Sequence, residues 1–163
     1  MKVINCSRHF AASEANKELL ARLDPGEWAW IFIQEPLEGI QTPDSSQFVF
    51  SDHILSLPTL TSQFWDVTRP AHIHIIIDDE FQEYVMQPIV REQAKEIYDF
   101  LIANRNKNVI VSCYAGMCRS GAVCQFAEKY LNAEWLEGFK QKAHPNPKVY
   151  DELVEVWKSS PIV

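Results

Sequence analysis

The chain has 163 residues, 47% of them hydrophobic and 23% charged, which is typical of one soluble globular domain covering residues 1–163. Its formal net charge of −7 at neutral pH argues against a nucleic-acid-binding protein and against a polybasic membrane attachment. Four cysteines are too few for a disulfide scaffold at this length.

The first 70 residues contain two segments with the composition of strands and one with helical periodicity. β-branched and aromatic residues predict strands at 3–6 and 28–33, and a leucine stripe predicts a helix at 14–23. Residues 35–47 hold two prolines and a glycine, so we expect a loop there. Residues 48–70 show no clear period and predict at most two short strands, at 48–50 and 64–67.

The remainder of the chain has a stronger alternation of strands and helices. It predicts strands at 72–77 and 108–112, helices at 88–104, 120–131 and 149–158, and a short helix or loop at 132–142. This order predicts an α/β fold, a single-domain three-layer sandwich whose central, mostly parallel sheet is flanked by helices. Functional sites in such sheets lie at the carboxyl ends of strands, where this chain has Asp78, Asp79 and Cys113.

Two of the predicted helices have apolar stripes that identify the faces expected to be buried. The positions expected to face inward are Val90, Ala94, Ile97 and Leu101 in the helix at 88–104, and Val149, Leu153, Val156 and Trp157 in the helix at 149–158. Each stripe repeats every three to four residues, so each helix should lie with one side against the core.

The segment at 109–122, VIVSCYAGMCRSGA, carries the residues best suited to chemistry. A β-branched strand leads into Cys113, and five residues separate this thiol from Arg119 at the start of a helix. A loop between a strand and a helix can direct its N–H groups at an anion, and the helix dipole adds to the attraction. Arg119 offers a planar pair of donors to two phosphate oxygens. The segment therefore predicts a site that binds a phosphate ester.

The same positive surroundings favour the thiolate form of Cys113, which is the nucleophilic form of a cysteine. Gly116 lets the loop backbone bend, and together with Ala115 it leaves the mouth of the loop open. Ser120 is placed to donate a hydrogen bond to the thiolate when the sulfur becomes the leaving group, and it also suits the start of a helix.

The pattern Cys113-x5-Arg119-Ser120, after a β-branched strand and before a helix, resembles the signature loop of the cysteine-dependent protein tyrosine phosphatases. Its form Cys-x-Ala-Gly-x-x-Arg-Ser is most similar to the dual-specificity phosphatase-like branch, and the resemblance covers residues 72–131. It implies hydrolysis of phosphate monoesters through a phosphocysteine on Cys113, without a metal or another cofactor. It also implies that the substrate phosphate is bound by the loop residues Tyr114, Ala115, Gly116, Met117, Cys118 and Arg119.

The resemblance implies an aspartate as general acid, which protonates the leaving oxygen and later activates water. In the similar branch this residue follows a hydrophobic strand upstream of the nucleophile. We favour Asp79, one residue beyond the predicted strand at 72–77, with Asp78 as the second candidate. Asp66 beside Trp65 is the third, since larger relatives have this aspartate next to a tryptophan.

One position departs from the family pattern, because Ser112 stands where the family usually has a histidine that holds the loop and tunes the thiol. This difference motivates an alternative function, a phosphate-binding pseudophosphatase module with little turnover. A third function is sulfur transfer of the rhodanese type, whose loop also follows a strand. The Ala-Gly pair, Ser120 and an upstream aspartate favour the phosphatase over this last class.

The loop side chains also indicate a class of substrate. Tyr114, Met117 and Cys118 carry no positive charge, whereas polyphosphorylated lipids and RNA 5′ ends would require additional cations. We therefore expect a phosphoprotein, with phosphotyrosine first, or a small phosphate ester as partner. The chain has no long apolar run and no signal-peptide pattern, so we expect a cytoplasmic protein without a membrane or nucleic-acid partner.

The remaining cysteines and histidines have less specific interpretations. Cys118 either packs below the loop or forms a reversible disulfide with Cys113 that protects the nucleophile. Cys124 is expected in the core. His72 and His74 share one face of a predicted strand, but no third ligand accompanies them, so packed histidines are favoured over a metal site.

Overall fold

A computed structural model describes residues 1–7, 10, 18, 28–33, 54–57, 71–77, 80–86, 89–113, 116–137 and 145–161 of the chain. The described strands are β1 Lys2–Ser7, β2 Trp28–Ile33, β3 Ile54–Leu57, β4 Ala71–Ile77, β5 Glu80–Met86, β6 Asn108–Cys113 and β7 Glu134–Trp135. The described helices are α1 Arg91–Ala103, α2 Arg119–Leu131 and α3 Pro147–Ser159.

Five of these strands form a parallel sheet in the order β3-β2-β6-β1-β7. β6 lies in the middle, where its run of β-branched residues can be buried on both sides. Cys113, the last residue of β6, pairs with Ser7 in β1, and Ser112 pairs with Phe32 in β2. The carboxyl ends of the three central strands therefore meet at Cys113. The predicted α/β fold with a parallel sheet is confirmed.

Both faces of this sheet are buried, and alternate residues of each strand belong to opposite faces. One face packs against the three described helices through Val3, Ala29, Ile31, Val109, Val111 and Cys113. The other face is formed by Ile4, Cys6, Trp28, Trp30, Ile110 and Ser112, all of them buried. Ser112 and Cys113 are neighbours in the chain, but their side chains consequently lie on opposite sides of the sheet.

Helix α1 begins three residues later than the proline that was expected to open it. The backbone N–H of Val90 donates to Gln93 Oε1 at 3.1 Å, and the helix starts at Arg91. Val90 is 49% exposed, so its predicted inward position is wrong, because it precedes the first helical turn. Ala94, Ile97 and Leu101 are buried as predicted, and Tyr98 joins them.

Helix α3 begins after Asn146, whose Oδ1 accepts a hydrogen bond from the Val149 N–H at 3.2 Å. Val149, Leu153 and Val156 are buried as predicted. Trp157 is 38% exposed, so its predicted inward position is wrong. Its ring lies beside Tyr130, with the ring centroids 4.6 Å apart, at the edge of the helical layer.

The strand predicted at 72–77 is present as β4, but its predicted place in the parallel sheet is wrong. β4 pairs antiparallel with β5 in a separate two-stranded sheet, and Ile77 pairs with Glu80. The acidic residues that were expected to end a parallel strand thus join the two strands of a hairpin. The short strands β3 and β7 had no counterpart in the prediction, because strands of four and two residues carry little periodicity.

Several predictions concern segments outside the described residues. These are the loop at 35–47, the two short strands at 48–50 and 64–67, and most of the helix at 14–23, of which Glu18 is described and helical. Within the described residues, no helix is both long and apolar enough to span a membrane.

Candidate active site

Cys113 occupies the end of the central strand, where a side chain of the sheet meets the first turn of a helix. Its side chain is 2% exposed and lies on the face that packs against the helices. The Sγ atom is 3.1 Å from Oγ of Ser120, the second residue of α2. Cys113 and Ser120 were predicted to act together, and the fold brings them into contact.

Arg119 is the first residue of α2, and its side chain is fully buried. The N-terminal turn of α2, with its free N–H groups and the positive end of the helix dipole, therefore lies beside the sulfur of Cys113. A hydroxyl and a helix N-terminus thus lie beside one thiol, and a buried arginine is the first residue of the same helix. Such a set of donors favours an anion, whether a thiolate or a bound phosphate.

The start of α2 is held from two directions through the backbone of Cys118. Its carbonyl oxygen accepts hydrogen bonds from the N–H of Ala122 at 3.0 Å and from the N–H of Asn146 at 2.8 Å. The first bond belongs to α2, and the second connects the loop to the residue that caps α3. The sequence does not predict this contact of Asn146, because a hydrogen bond between backbone groups far apart in the chain does not depend on the pattern of side chains.

Gly116 brings the loop into direct contact with the end of β1. Its φ is +68°, in the left-handed region that favours glycine. A Cβ at this position would lie 2.3 Å from the nitrogen of Ser7 and 2.4 Å from the carbonyl carbon of Cys6. Two independent requirements therefore select glycine here, the backbone conformation and the absence of space.

Ser112 has a buried partner on the side of the sheet away from Cys113. Its Oγ accepts a hydrogen bond from Nε1 of Trp30 in β2 at 2.9 Å. The phosphatases that the loop resembles usually have a histidine at this position, and here a serine hydroxyl is hydrogen-bonded to an indole instead. The sequence alone gives Trp30 no role beyond its strand, since the two residues are 82 positions apart.

The other three cysteines differ from Cys113 in their surroundings, although all four are free thiols in this structure. Burial, followed by the nearby charge of Cys113, raises the pKa of Cys6 to about 12. Burial also raises the pKa of Cys124 well above its ordinary value, as expected for a core residue. For the half-buried Cys118, burial and Cys113 raise the pKa while Arg119 lowers it. These three groups therefore stay protonated at neutral pH.

Some of the predicted site residues lie outside the described part of the chain. These are the loop residues Tyr114 and Ala115 and the three candidate acids Asp66, Asp78 and Asp79. Asp78 and Asp79 connect β4 to β5, whose ends are described. The strand that precedes them, β4, is not a neighbour of β6, which pairs with β1 and β2 in the sheet.

A separate cavity of about 600 Å³ opens at the C-terminal ends of the three described helices. Its lining includes Tyr98, Ile102, Arg105, Tyr130, Trp157 and Lys158. The 13 residues of α2 separate this end from the start of the helix by about 20 Å. The cavity is therefore distinct from the site at Cys113 and contains none of the predicted site residues.

Comparison of the chain with protein-family models, with characterised proteins and with solved structures gives no match. Among the described residues, no group of three or more His, Cys, Asp or Glu side chains is arranged to hold a metal ion.

Proposed function

We propose that this chain is a phosphatase that hydrolyses phosphate monoesters through a phosphocysteine intermediate on Cys113. The observation that carries the proposal is the 3.1 Å contact between Cys113 Sγ and Ser120 Oγ, made where the central strand meets the N-terminus of α2. A buried thiol beside a helix N-terminus and a buried arginine suits attack on a phosphate better than a purely structural cysteine would.

In the first step, the thiolate of Cys113 attacks phosphorus, so that an S–P bond forms as the bond from phosphorus to the ester oxygen breaks. Arg119 and the backbone N–H groups of the loop hold the equatorial oxygens, whose charge is shared between several donors. Asp79 is the proposed acid that gives its proton to the departing oxygen. The products of this step are the free alcohol or phenol and the phosphocysteine.

In the second step, a water molecule gives a proton to the Asp79 carboxylate and its oxygen attacks the phosphocysteine. A P–O bond forms, the S–P bond breaks, and inorganic phosphate leaves the site. The sulfur departs as a thiolate, which accepts a hydrogen bond from Ser120. The cycle returns Asp79 to its protonated form and Cys113 to its thiolate form.

Met117 supports a phosphoprotein substrate, with phosphotyrosine first. Its side chain is 40% exposed within the loop segment, which gives the site an apolar flank. Neither Met117 nor the half-buried Cys118 carries a positive charge, and an aromatic phosphate ester needs only one phosphate to be neutralised. A cytoplasmic location, where phosphoproteins and reduced thiols are found, is part of the same proposal.

The test is hydrolysis of an aryl phosphate by the wild type, Cys113→Ala and Cys124→Ala. Each variant removes one buried thiol, but only Cys113 is the proposed nucleophile. We expect no turnover by Cys113→Ala and near wild-type turnover by Cys124→Ala. Acid quenching should trap a phosphoenzyme in the wild type and in Cys124→Ala, but not in Cys113→Ala. Turnover that survives in Cys113→Ala would refute the proposal.

The same preparation distinguishes the two alternative functions. A wild type that binds a phosphotyrosine peptide without turnover would identify the phosphate-binding module, for which Ser112 in place of histidine is the motivation. Transfer of sulfur from thiosulfate to cyanide would identify a sulfur transferase. An Arg119→Lys variant provides a second test, because loss of the planar pair of donors should raise KM and lower kcat. The control is Arg105→Lys, on the turn after α1, which should change neither.

A further inference from the structure

The hydrogen bond between Trp30 and Ser112 is buried immediately behind the proposed nucleophile. Ser112 is fully buried and Trp30 is 5% exposed. Trp30 pairs with Ile110, and Ser112 pairs with Phe32, so the 2.9 Å bond runs diagonally from β2 to β6 on one face of the sheet. The bond therefore anchors the last side chain before Cys113 to the neighbouring strand.

A second indole on the same strand shows what is particular to Trp30. Trp28 belongs to the same face of β2, two residues earlier, and is 1% exposed. Its Nε1 makes no hydrogen bond to the described residues. The two tryptophans thus share a strand, a face and a degree of burial, and the one whose indole donates to Ser112 is the one nearer to Cys113.

Among the described residues, the neighbours of Ser112 on this face of the two adjacent strands are Cys6 in β1 and Trp30 in β2. On the β1 side, its partner in the sheet is Cys6, whose thiol stays protonated because burial raises the pKa to about 12. Leaving a buried hydroxyl without a hydrogen-bond partner costs free energy, so the side chain of Ser112 should keep its bond to the indole of Trp30. The bond consequently fixes the backbone of Ser112, and with it the peptide that leads into Cys113.

We propose that Trp30 is a positioning residue, whose indole N–H holds Ser112 so that Cys113 keeps its sulfur in contact with Ser120. This inference rests on the proposed function and adds to it an uncharged hydrogen bond that positions the nucleophile. Because the Trp30–Ser112 pair carries no charge, it acts on the thiolate through geometry alone. On the other face, Ser120 and the N-terminus of α2, which begins with Arg119, lie beside the sulfur.

The experiment compares Trp30→Phe with Trp28→Phe, which remove the same atoms from the same face of one strand. The readout is the pH at which the rate of alkylation of Cys113 by iodoacetamide reaches half of its maximum. The rate is measured by peptide mass analysis, at a temperature at which both variants are folded. We expect a rise of about 0.5 pH unit in Trp30→Phe, because the thiolate loses part of its alignment with Ser120, and none in Trp28→Phe. With an aryl phosphate, kcat of Trp30→Phe should fall about tenfold while KM stays within about twofold.

The charged and titratable neighbours of Cys113 are unchanged in both variants. Among the described residues, they are Cys118 in the loop, Cys6 on β1 and Cys124 on α2, together with Arg119 at the start of α2. Any shift confined to Trp30→Phe therefore reports on the lost hydrogen bond. A simple loss of stability would appear in both variants, since each leaves a similar cavity.

Ser112→Ala removes the same bond from its other end and covers the case in which Trp30→Phe does not fold. Its shift should equal that of Trp30→Phe, the double variant should shift no further, and Ser112→Thr, which keeps a hydroxyl, should restore most of the wild-type value. Equal shifts in the two tryptophan variants, no shift in Ser112→Ala, or shifts that add in the double variant would overturn the inference. Alkylation does not require turnover, so failure of the phosphatase proposal appears separately, as a wild type without hydrolysis.

Discussion

Cys113 Sγ and Ser120 Oγ lie 3.1 Å apart, and this contact joins the last residue of β6 to the first turn of α2. Both side chains are buried. While the sulfur is a thiol, either group can donate the hydrogen bond. Once the sulfur is a thiolate, only the serine hydroxyl can donate. The contact is therefore stronger in the ionised form, which is the form that attacks and leaves in the proposed reaction.

Ser120→Ala should slow the second step more than the first. The departing thiolate would lose one charge-assisted hydrogen bond, which corresponds to a fall of about 10- to 100-fold in kcat. KM should change little, because the phosphate itself is held by Arg119 and the loop. Stopped-flow measurements should show a burst of released phenol followed by slow turnover. Ser159→Ala, on the exposed end of α3, is the control and should show the wild-type time course.

Gly116→Ala should destabilise the fold and abolish activity. The alanine would adopt a left-handed backbone, and its Cβ would overlap Ser7 and Cys6 at 2.3 and 2.4 Å. Together these effects should lower the free energy of unfolding by about 2–4 kcal/mol. Urea unfolding measures the loss.

Asn132→Ala is the matched comparison for Gly116→Ala, since Asn132 also has a positive φ, of 53°, at the end of α2. Asn132 is exposed, so its substitution adds backbone strain without an overlap. We expect a loss of about 1 kcal/mol and full activity. A loss in Gly116→Ala no larger than in Asn132→Ala would show that the contact with β1 is dispensable.

The central strands and the loop from Cys113 to Ser120 could be predicted because the patterns that indicate them lie within short stretches of the sequence. The β-branched runs of β1, β2 and β6 identify buried strands wherever they occur, and the loop residues from Cys113 to Ser120 are contiguous in the chain. Cys113 and Ser120 come together because only a short loop connects their strand to their helix. The 3.1 Å contact of Cys113 with Ser120 is a consequence of that local order.

The remainder depended on contacts between distant residues. β4 and β5 pair antiparallel, but the sequence between them, Asp78-Asp79, lacks the glycine that usually marks a two-residue hairpin, so the sequence predicts β4 in the parallel sheet. The two-residue strand β7 exists only because β1 offers it a partner. The bond from Trp30 to Ser112 spans 82 positions, and no pattern within either strand indicates it.

The stability of the protein should fall as the pH rises above 9. Burial raises the pKa of Cys6 from 9.0 to about 12, so in this interval the unfolded chain loses the proton while the folded chain keeps it. The contribution of this thiol is complete below pH 9 and is lost progressively towards pH 12, by about 1.4 kcal/mol per pH unit. Cys124 acts in the same direction. Urea unfolding midpoints at several pH values measure the slope of stability against pH. Cys6→Ala should make this slope shallower. A slope unchanged by Cys6→Ala would show that Cys6 is not protected from ionisation.

Asp79→Asn should lower kcat by about 10²- to 10⁴-fold and remove the fall in activity at high pH. That fall reflects loss of the acid's proton, so it disappears when the acid is replaced by an amide. The effect should depend on the leaving group, because a phenol of low pKa departs without protonation. We therefore expect a large loss with phenyl phosphate and a small loss with a dinitrophenyl phosphate in the first step.

Asp78→Asn and Asp66→Asn are the matched variants for Asp79→Asn, since each removes one carboxylate with almost no change in shape. Asp78 and Asp79 are adjacent in the sequence between β4 and β5, so each serves as the control for the other. A loss that depends on the leaving group is the signature of the acid, whereas misfolding would lower the rates with both substrates alike. If Asp78→Asn or Asp66→Asn shows this signature and Asp79→Asn does not, the acid is that residue, and the phosphocysteine on Cys113 is unaffected by the reassignment.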